Sequence, residues 1–255
     1  MNRYEAYMDG ESLSSIDPKI CVLDIQYSQI SPNISTFKVN RRHGALISRT
    51  SFNECSVTIL FEIHEYNTRK RINILQNIQR WARGKILTVS DRPGQRLRCV
   101  CKDFPTLNTK GWTDSISVTF VAYQLPFWEE ENDTTFTMTS GTSGESSVYV
   151  PGNAPEAIVS ASLTCSSGTL STATLTVNGK SMVLSELAAA TPSTVVISYD
   201  DDMILHITHN NVDALGYRTP ASVDDLLAVP GKFNTFAFSA DQSISLTYTV
   251  RGLWL

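Results

Sequence analysis

The segment that most constrains the fold of this chain is the stretch Gly111 to Glu131, which reads GWTDSISVTFVAYQLPFWEEE. Its centre predicts a β-strand over 115–124, because apolar side chains at every second position fall on one face of a strand. Pro126 cannot donate a backbone hydrogen bond and restricts the residue before it, so the strand should end there. Phe127, Trp128 and three glutamates follow immediately. We interpret this segment as the joint between two domains.

The charge of the chain also changes at this segment. Residues 1–130 contain 17 Lys and Arg against 13 Asp and Glu, a net charge of +4. Residues 131–255 contain 4 against 12, a net charge of −8, and the two halves together give the net charge of −4. This asymmetry indicates either two modules with different neighbours or two domains of unrelated composition. We predict domains over 1–131 and 148–255, joined by a Ser-, Thr- and Gly-rich linker over 132–147.

The first half has the pattern of an α+β domain. Alternating and β-branched residues predict strands over 20–27, 34–39, 50–64, 85–90, 96–104 and 115–124. The only helix predicted from the sequence covers 67–83, where apolar residues recur at helical spacing at Ile72, Leu75, Ile78 and Ala82. Ile74 and Trp81 widen this apolar stripe.

A basic cluster, Arg69-Lys70-Arg71, lies in the first turn of this predicted helix, where the helix dipole disfavours cations. One interpretation is a nucleic-acid-binding helix. However, no aromatic residues are interleaved with these cations, and the apolar stripe of the helix is needed for the domain's own core. The sequence therefore favours a solvated or partner-facing rim.

The second half contains only strand signals, which lie at 148–150, 157–163, 173–184, 193–199, 203–208, 235–239 and 243–255. Asn178-Gly179 predicts a two-residue hairpin turn, because both positions of a type I′ turn require positive φ. Short alternating strands separated by turns are typical of an antiparallel sandwich. The predicted fold class is therefore mainly β: an α+β domain with one helix, followed by an all-β sandwich.

No group of residues in the sequence predicts a catalytic, cofactor-binding or metal site. Cys99 and Cys101 share a face of one predicted strand, but no second pair of Cys or His completes a tetrahedral set. They are more simply interpreted as small buried residues. Gly141-Thr142-Ser143-Gly144 is similar to a nucleophile elbow in its letters only, because it lacks the strand-to-helix context.

An acidic run, Asp200–Asp202, precedes His206 and His209. The odd separation of the two histidines places them on opposite faces of a strand, so they should not share a metal ion. A calcium loop formed by the three aspartates is the alternative to a solvated acidic turn, although the glycine and glutamate of such loops are absent.

The polar start of the chain, MNRYEAYMDGESLSS, lacks a hydrophobic signal region. No apolar run approaches the ~18 residues that a membrane span needs. We therefore expect the protein to be made and kept in a cytoplasm, without membrane insertion.

Four segments of the first half carry a family resemblance: HGALISRTSFNECSVTILFEI, IQRWARGKILTVSD, RLRCVCKDF and SISVTFVAYQLPFWEEE. Their order resembles the N-terminal domain of the distal tail protein of phages with long, non-contractile tails. In that family a strand runs into a proline and an aromatic pair at the end of the first domain, which matches Pro126-Phe127-Trp128. The second half resembles the family's C-terminal galectin-like sandwich, through VPGNAPEAIVSASLT, ATLTVNGKSMVL, STVVISYDDDMIL and VPGKFNTFAFSADQSISLTYTVRGLWL.

The resemblance implies a homohexameric ring at the distal end of the tail tube. The first domains would surround the channel, contacting the major tail tube protein on one side and the tail-tip, or tail-associated, protein on the other. The galectin-like domains would point outward and hold receptor-binding proteins. DNA would only pass through the channel, with which the modest charge of the first domain is compatible. The implied location is the virion tail tip, after assembly in the bacterial host cytoplasm.

Two other function classes are alternatives to the hub. A galectin-like sandwich could bind carbohydrate and act in host-surface adhesion, for which Trp254 and His206 are the candidate residues. An enzyme is the least favoured class, because the sequence offers no catalytic constellation. For the hub function, we predict that Phe127 and Trp128 pack onto the first domain or the domain interface. They would then fix the angle at which the sandwich leaves the ring.

Overall fold

The structure is a computed structural model, which describes residues 4–37, 46–105, 115–122, 124–187, 192–200 and 203–255. The chain divides into two compact units, Met1–Trp128 and Glu129–Leu255. Strands dominate both units, so the predicted mainly β fold class is confirmed. No helix in these described ranges is long and apolar enough to cross a membrane.

The elements of the first unit follow the predicted order, with three short additions at the start. Their bounds are β1 (Ala6–Met8), β2 (Glu11–Ser12), α1 (Leu13–Ile16), β3 (Ile20–Tyr27), β4 (Pro32–Phe37), β5 (Leu46–Phe52), β6 (Cys55–Ile63), α2 (Thr68–Trp81), β7 (Ile86–Val89), β8 (Gln95–Arg98), β9 (Val100–Asp103) and β10 (Ile116–Ala122). Residues 111–114 and Tyr123, which belong to the segment Gly111 to Glu131, lie outside the described residues.

The core of the first unit is built on an antiparallel sheet in the order β3-β6-β10-β9. Strand β6 alternates strictly, and its buried residues are Cys55, Val57, Ile59, Phe61 and Ile63. The predicted strand over 50–64 is in fact two strands, β5 and β6, because Asn53 and Glu54 interrupt the ladder. Strands β2-β1-β7-β8 form a second antiparallel array, and β4 pairs with β5.

Helix α2 begins after Asn67, whose side-chain oxygen accepts a hydrogen bond from the Lys70 N–H at 3.2 Å. Its buried stripe contains the predicted Leu75, Ile78 and Ala82, together with Ile74 and Trp81. The prediction is wrong at one position: Ile72 is 40% exposed, whereas Arg71 is 3% exposed and joins the buried stripe. Trp81 contacts Phe120 of β10 edge-on, with ring centroids 5.9 Å apart.

Where it is described, the second unit is all-β apart from one 3-10 turn at Leu215–Tyr217. Its elements are β11 (Trp128–Glu130, which begins at the last residue of the first unit), β12 (Thr134–Val150), β13 (Ala157–Cys165), β14 (Ala173–Val177), β15 (Lys180–Leu184), β16 (Ser193–Tyr199), β17 (Leu205–His209), β18 (Val212–Asp213), β19 (Leu227–Ala228), β20 (Lys232–Val250) and β21 (Leu253–Trp254).

The long strand β20 organises this unit. Residues 236–240 of β20 pair with β14, and residues 244–250 pair with β13. The sheet therefore continues through β20, in the order β15-β14-β20-β13-β16-β17-β18. Strand β12 pairs with β20 along nearly its whole length. Phe136, Phe236 and Tyr248 pack together in the core, with ring centroids 4.8–5.6 Å apart.

Two predictions for the second half need correction. The predicted linker over 132–147 is wrong, because residues 134–150 form strand β12. The Ser/Thr-rich sequence has no strong hydrophobic alternation, but its backbone pairs with β20, and the hydroxyls of Thr137 and Thr247 lie 2.9 Å apart across the ladder. The predicted strands over 235–239 and 243–255 are joined in β20, which then ends at Val250.

Glycine is required at Gly152, where φ is +121° and an added Cβ would overlap the Leu253 carbonyl oxygen. We expect Gly152→Ala to lower the free energy of unfolding by about 1–3 kcal/mol, measured by chemical denaturation. The matched control is Gly179→Ala in the confirmed Asn178-Gly179 turn, where φ is +78° and an added Cβ meets no atom within 4 Å. Equal losses in the two variants would contradict a role for the contact with Leu253.

Candidate assembly surfaces

The aromatic pair of the joint is buried in the first unit. Phe127 is 6% exposed and Trp128 is 1% exposed. Phe127 meets Phe52 edge-on at a centroid distance of 5.4 Å, and Trp128 meets Tyr27 in the same way at 5.9 Å. The prediction that these residues pack onto the first domain is confirmed; their effect on domain orientation stays a prediction.

Arg92 completes the packing around Trp128. Its guanidinium carbon lies 4.9 Å from the ring centroid of Trp128 and 4.9 Å from that of Tyr27, a cation–π arrangement on both rings. The Tyr27 hydroxyl donates to Asp91 Oδ1 at 2.5 Å. Burial, and then this hydrogen bond, raise the pKa of Tyr27, so the phenol stays neutral at physiological pH. We call Tyr27, Arg92 and Trp128 the aromatic anchor.

The acidic run after Trp128 is tied to the second unit by Arg251. The guanidinium donates to both carboxylate oxygens of Asp133, at 2.6 and 2.9 Å, and to Glu129 Oε2 at 2.8 Å. Burial would lower the pKa of Arg251, but the hydrogen bonds and charges of Asp133 and Glu129 raise it overall. The Glu129 side chain is only 3% exposed, so Arg251 neutralises a buried carboxylate. We call Glu129, Asp133 and Arg251 the acidic clamp.

Glu130 holds the segment that follows Arg251. Its carboxylate accepts from Trp254 Nε1–H at 2.7 Å, and its backbone N–H donates to the Gly252 carbonyl at 2.8 Å. Sequence reasoning did not identify Arg251. Arg251 stands out in the sequence only because it is the one Lys or Arg after Lys232. Its position does not indicate that it pairs with the acidic residues after Trp128.

The two carbohydrate-binding candidates have partners inside the second unit. Trp254 uses its indole N–H on Glu130, and His206 Nε2 lies 3.0 Å from Asp200 Oδ2. No observation at these positions favours a carbohydrate site.

The histidine and cysteine candidates do not form a metal cluster within the described residues. His209 Nε2 lies 2.9 Å from Ser193 Oγ, whereas His206 contacts Asp200. Asp200 also accepts a hydrogen bond from the Ile204 N–H at 2.9 Å. Asp201 and Asp202 lie outside the described residues.

Cys99 is buried and Cys101 is half-buried. Burial is the main cause that raises the pKa of Cys99 to about 12 and that of Cys101 to about 11. Both thiols are therefore protonated at neutral pH, which makes them poor nucleophiles. The stretch Gly141–Gly144 lies within strand β12, so it does not form a strand-to-helix elbow.

The basic cluster of the helix is smaller than predicted. Arg69 and Lys70 are exposed, but Arg71 is buried in the stripe of α2. The exposed rim, whether solvated or partner-facing, therefore consists of Arg69 and Lys70. A charge reversal that included Arg71 would disturb the core of the unit as well as its surface.

An open groove of about 590 Å³ lies beside the end of α2. Its lining includes Arg80 and Arg83 as well as Asp9 and Glu11, so its charge is mixed. The Asp9 carboxylate already accepts from the backbone N–H groups of Lys85 and Ile86. The groove therefore selects no particular ligand charge.

Two strand edges of the first unit are candidates for contacts between subunits. In the sheet β3-β6-β10-β9, the outer strands β3 and β9 each pair with one neighbour among the described residues. Leu23 on β3 is 41% exposed and Val100 on β9 is 52% exposed. Open backbone edges and exposed apolar side chains favour pairing with another chain. Because these edges lie on opposite sides of one sheet, they suit a head-to-tail contact.

Comparison with known proteins gives a structural likeness without a sequence match. No protein-family model and no curated protein matches the sequence. The structure is similar to the crystal structure of the SPP1 Dit protein, described as a paradigm of the hub adsorption apparatus in phages that infect Gram-positive bacteria. The TM-score is 0.72 at 14% identity, and the alignment covers 97% of this chain and 98% of that chain.

Two structures of the phage P2 baseplate in its activated conformation, with Ca and with Sr, align at 10% identity with TM-scores of 0.49 and 0.47. They cover 98% and 97% of this chain, and 97% of each of those chains. The SPP1 likeness spans nearly the full length of both chains, which identifies the architecture. The chain has the fold of a phage distal tail (Dit) protein.

Proposed function

We propose that this chain is a structural virion protein that forms a ring at the distal end of a long, non-contractile phage tail. It joins the tail tube to the tail-tip or baseplate proteins. The observation that carries the proposal is the full-length likeness to the SPP1 Dit hub protein, over 97% of one chain and 98% of the other. A domain-sized match would support a shared module; a match of this extent supports a shared role.

The edges of the first unit support ring formation. A closed ring needs two different surfaces on each subunit, one that meets the preceding copy and one that meets the next. Strands β3 and β9 offer such a pair at the two sides of one sheet, each with an exposed apolar residue, Leu23 or Val100. We assign these edges to the ring contact.

The partners and location follow from the same proposal. The ring, a homohexamer, contacts the major tail tube protein on one side and the tail-tip protein on the other, and DNA passes through its channel. The second unit holds receptor-binding proteins. The protein resides in the virion tail tip after assembly in the cytoplasm of the bacterial host.

The solution mass of the purified chain tests the ring directly. We expect a particle of about six times the 28.2 kDa chain mass, with ring-shaped projections in negative stain. Val100→Lys should reduce this mass, because it places a charge on the β9 edge. The matched control Val212→Lys changes a residue that is 68% exposed in the second unit and should leave the mass unchanged. A chain that stays monomeric, both alone and with its tube and tail-tip proteins, contradicts the proposal.

The basic rim of α2 gives a second test of assembly. Replacing Arg69 and Lys70 by Glu should weaken ring or tube contacts, and the loss should be greatest at low salt, because exposed charges are screened. Arg71 is left unchanged because it is buried. Association measured at two salt concentrations checks this, with the melting temperature of the free chain as control. An unchanged affinity at low salt would remove the rim from the interface.

A further inference from the structure

Strand β12 forms a long open edge of the second unit. Of its 17 residues, 14 pair with β20, and no other described strand pairs with it. On its other side β20 is occupied by β14 and β13, so β12 is the outer strand along both parts of β20. A row of backbone N–H and C=O groups on such an edge is a template for another strand.

Two other edges of this unit are covered or short, which distinguishes β12 from them. The outer side of β15 is covered by a following segment, because the Thr219 N–H donates to Val183 O at 3.0 Å and the Val223 N–H donates to Ser181 O at 3.0 Å. At the opposite end of the sheet, β18 has only two residues. Short or covered edges are the usual defence against unwanted strand pairing.

Strand β12 contains few of the residues that block pairing. It contains no proline and no lysine, and Glu145 is its single charged residue. Charged residues, proline and strong bulges on an edge are the devices by which proteins prevent addition of a strand. The register of β12 against β20 shifts between Met138 and Ser143, so the regular part of this edge, residues 143–150, is the part suited to pairing with an extended segment.

An exposed aromatic pair lies at one end of this edge. Tyr149 of β12 is paired with Phe233 of β20, and their ring centroids are 5.6 Å apart. Tyr149 is 48% exposed and Phe233 is 74% exposed. A strand added beside β12 would place one of its side chains next to Tyr149, so a large apolar residue there would cover the pair.

We propose that the open edge of β12 binds an extended segment of a second protein by strand addition. The segment carries Lys or Arg and one large apolar side chain that packs on Tyr149. Residues 131–255 have a net charge of −8, from 4 Lys and Arg against 12 Asp and Glu, which favours a cationic segment and repels a second copy of this unit. The inference rests on the proposed function in assigning a protein partner to the second unit.

A model peptide can test strand addition on the whole chain. The probe is a nine-residue peptide of alternating Lys and Thr with one Tyr. The matched probes replace Lys by Glu, or carry N-methyl groups on alternate amides so that one edge cannot pair. We expect the cationic peptide to slow hydrogen exchange of the β12 amides by about tenfold or more. Neither matched probe should slow it.

Two variants locate the site. Glu145→Lys should weaken peptide binding by about tenfold or more, because it adds a like charge to the edge. The control Glu156→Lys makes the same charge change at an exposed residue outside β12 and should bind the peptide nearly as the parent does. Tyr149→Ser should also weaken binding, through loss of the apolar contact.

Three outcomes overturn the proposal: no protection of β12, equal protection by the N-methylated peptide, or equal weakening by the two Glu→Lys variants. Without peptide, the β12 amides could instead be protected at high protein concentration and lose this protection on dilution. If the solution mass were also doubled, the edge would bind a second copy of the chain, and the proposal would be wrong. Ring mass is a separate readout. A chain that binds the peptide but forms no ring would refute the proposed function and retain this inference.

Discussion

Replacing Trp128 by alanine should lower the free energy of unfolding of the first unit by about 3–5 kcal/mol, the usual cost of emptying a buried aromatic site. Trp128 is 1% exposed and lies in the aromatic anchor with Tyr27 and Arg92. Its loss removes apolar burial and also one face of the Arg92 stack. Phe127→Ala should cost a similar amount, since Phe127 is 6% exposed against Phe52.

Chemical denaturation followed by tryptophan fluorescence and circular dichroism would measure these losses. The matched control is Tyr66→Ala, which truncates an aromatic residue of the same unit that is 77% exposed and should cost less than about 1 kcal/mol. If Trp128→Ala and Tyr66→Ala proved equally mild, Phe127 and Trp128 would be only connecting residues. The proposed effect of the pair on domain angle would then lose its basis.

Replacing Arg251 by methionine should destabilise the second unit by about 3–5 kcal/mol, because it removes the Arg251 cation from the buried carboxylate of Glu129. Asp133, whose carboxylate accepts two hydrogen bonds from the same guanidinium, loses its partner as well. The effect should persist at high salt, since a pair shielded from solvent is screened much less than a surface pair.

A double substitution separates the charge effect from packing. Glu129→Gln combined with Arg251→Met removes the buried charge together with its partner, so it should restore part of the stability lost in Arg251→Met alone. Lys232→Met, at an exposed cation of the same unit, should change the free energy of unfolding by less than about 0.5 kcal/mol. Additive losses in the double variant would show that the acidic clamp does not act as a unit.

The parts of the fold that the sequence predicted well are those with a strong local hydrophobic period. Strand β3 has the predicted bounds, Ile20–Tyr27, and α2 lies within the predicted helix. In the helix, Leu75, Ile78 and Ala82 are buried as predicted, but a long Arg71 side chain takes the buried place that Ile72 was expected to fill. The hydrophobic period of a helix alone does not indicate that an arginine takes a buried place of an aliphatic residue.

The prediction failed where structure depends on a distant partner. Strand β12 was interpreted as a linker because Ser, Thr and Gly give it no strong period of its own. Its ladder is formed with β20, and the paired Thr137 and Thr247 are 110 positions apart in sequence. The acidic clamp was missed for the same reason, since Arg251 and Glu129 are 122 positions apart. Backbone pairing and ion pairing over such separations leave little trace in local composition.

The position of β20 in the chain has a consequence for how the second unit is made. Strands β12, β13 and β14 are all synthesised before β20, and each of them pairs with it. During translation they therefore emerge without the strand that joins them, and the sheet is completed only after residue 250 has left the ribosome. Proteins with such non-local strand pairings fold slowly, and their unpaired strands stay exposed until the pairing is complete. We expect the second unit to fold after its synthesis rather than during it, and nascent chains stalled before residue 232 to be held by chaperones.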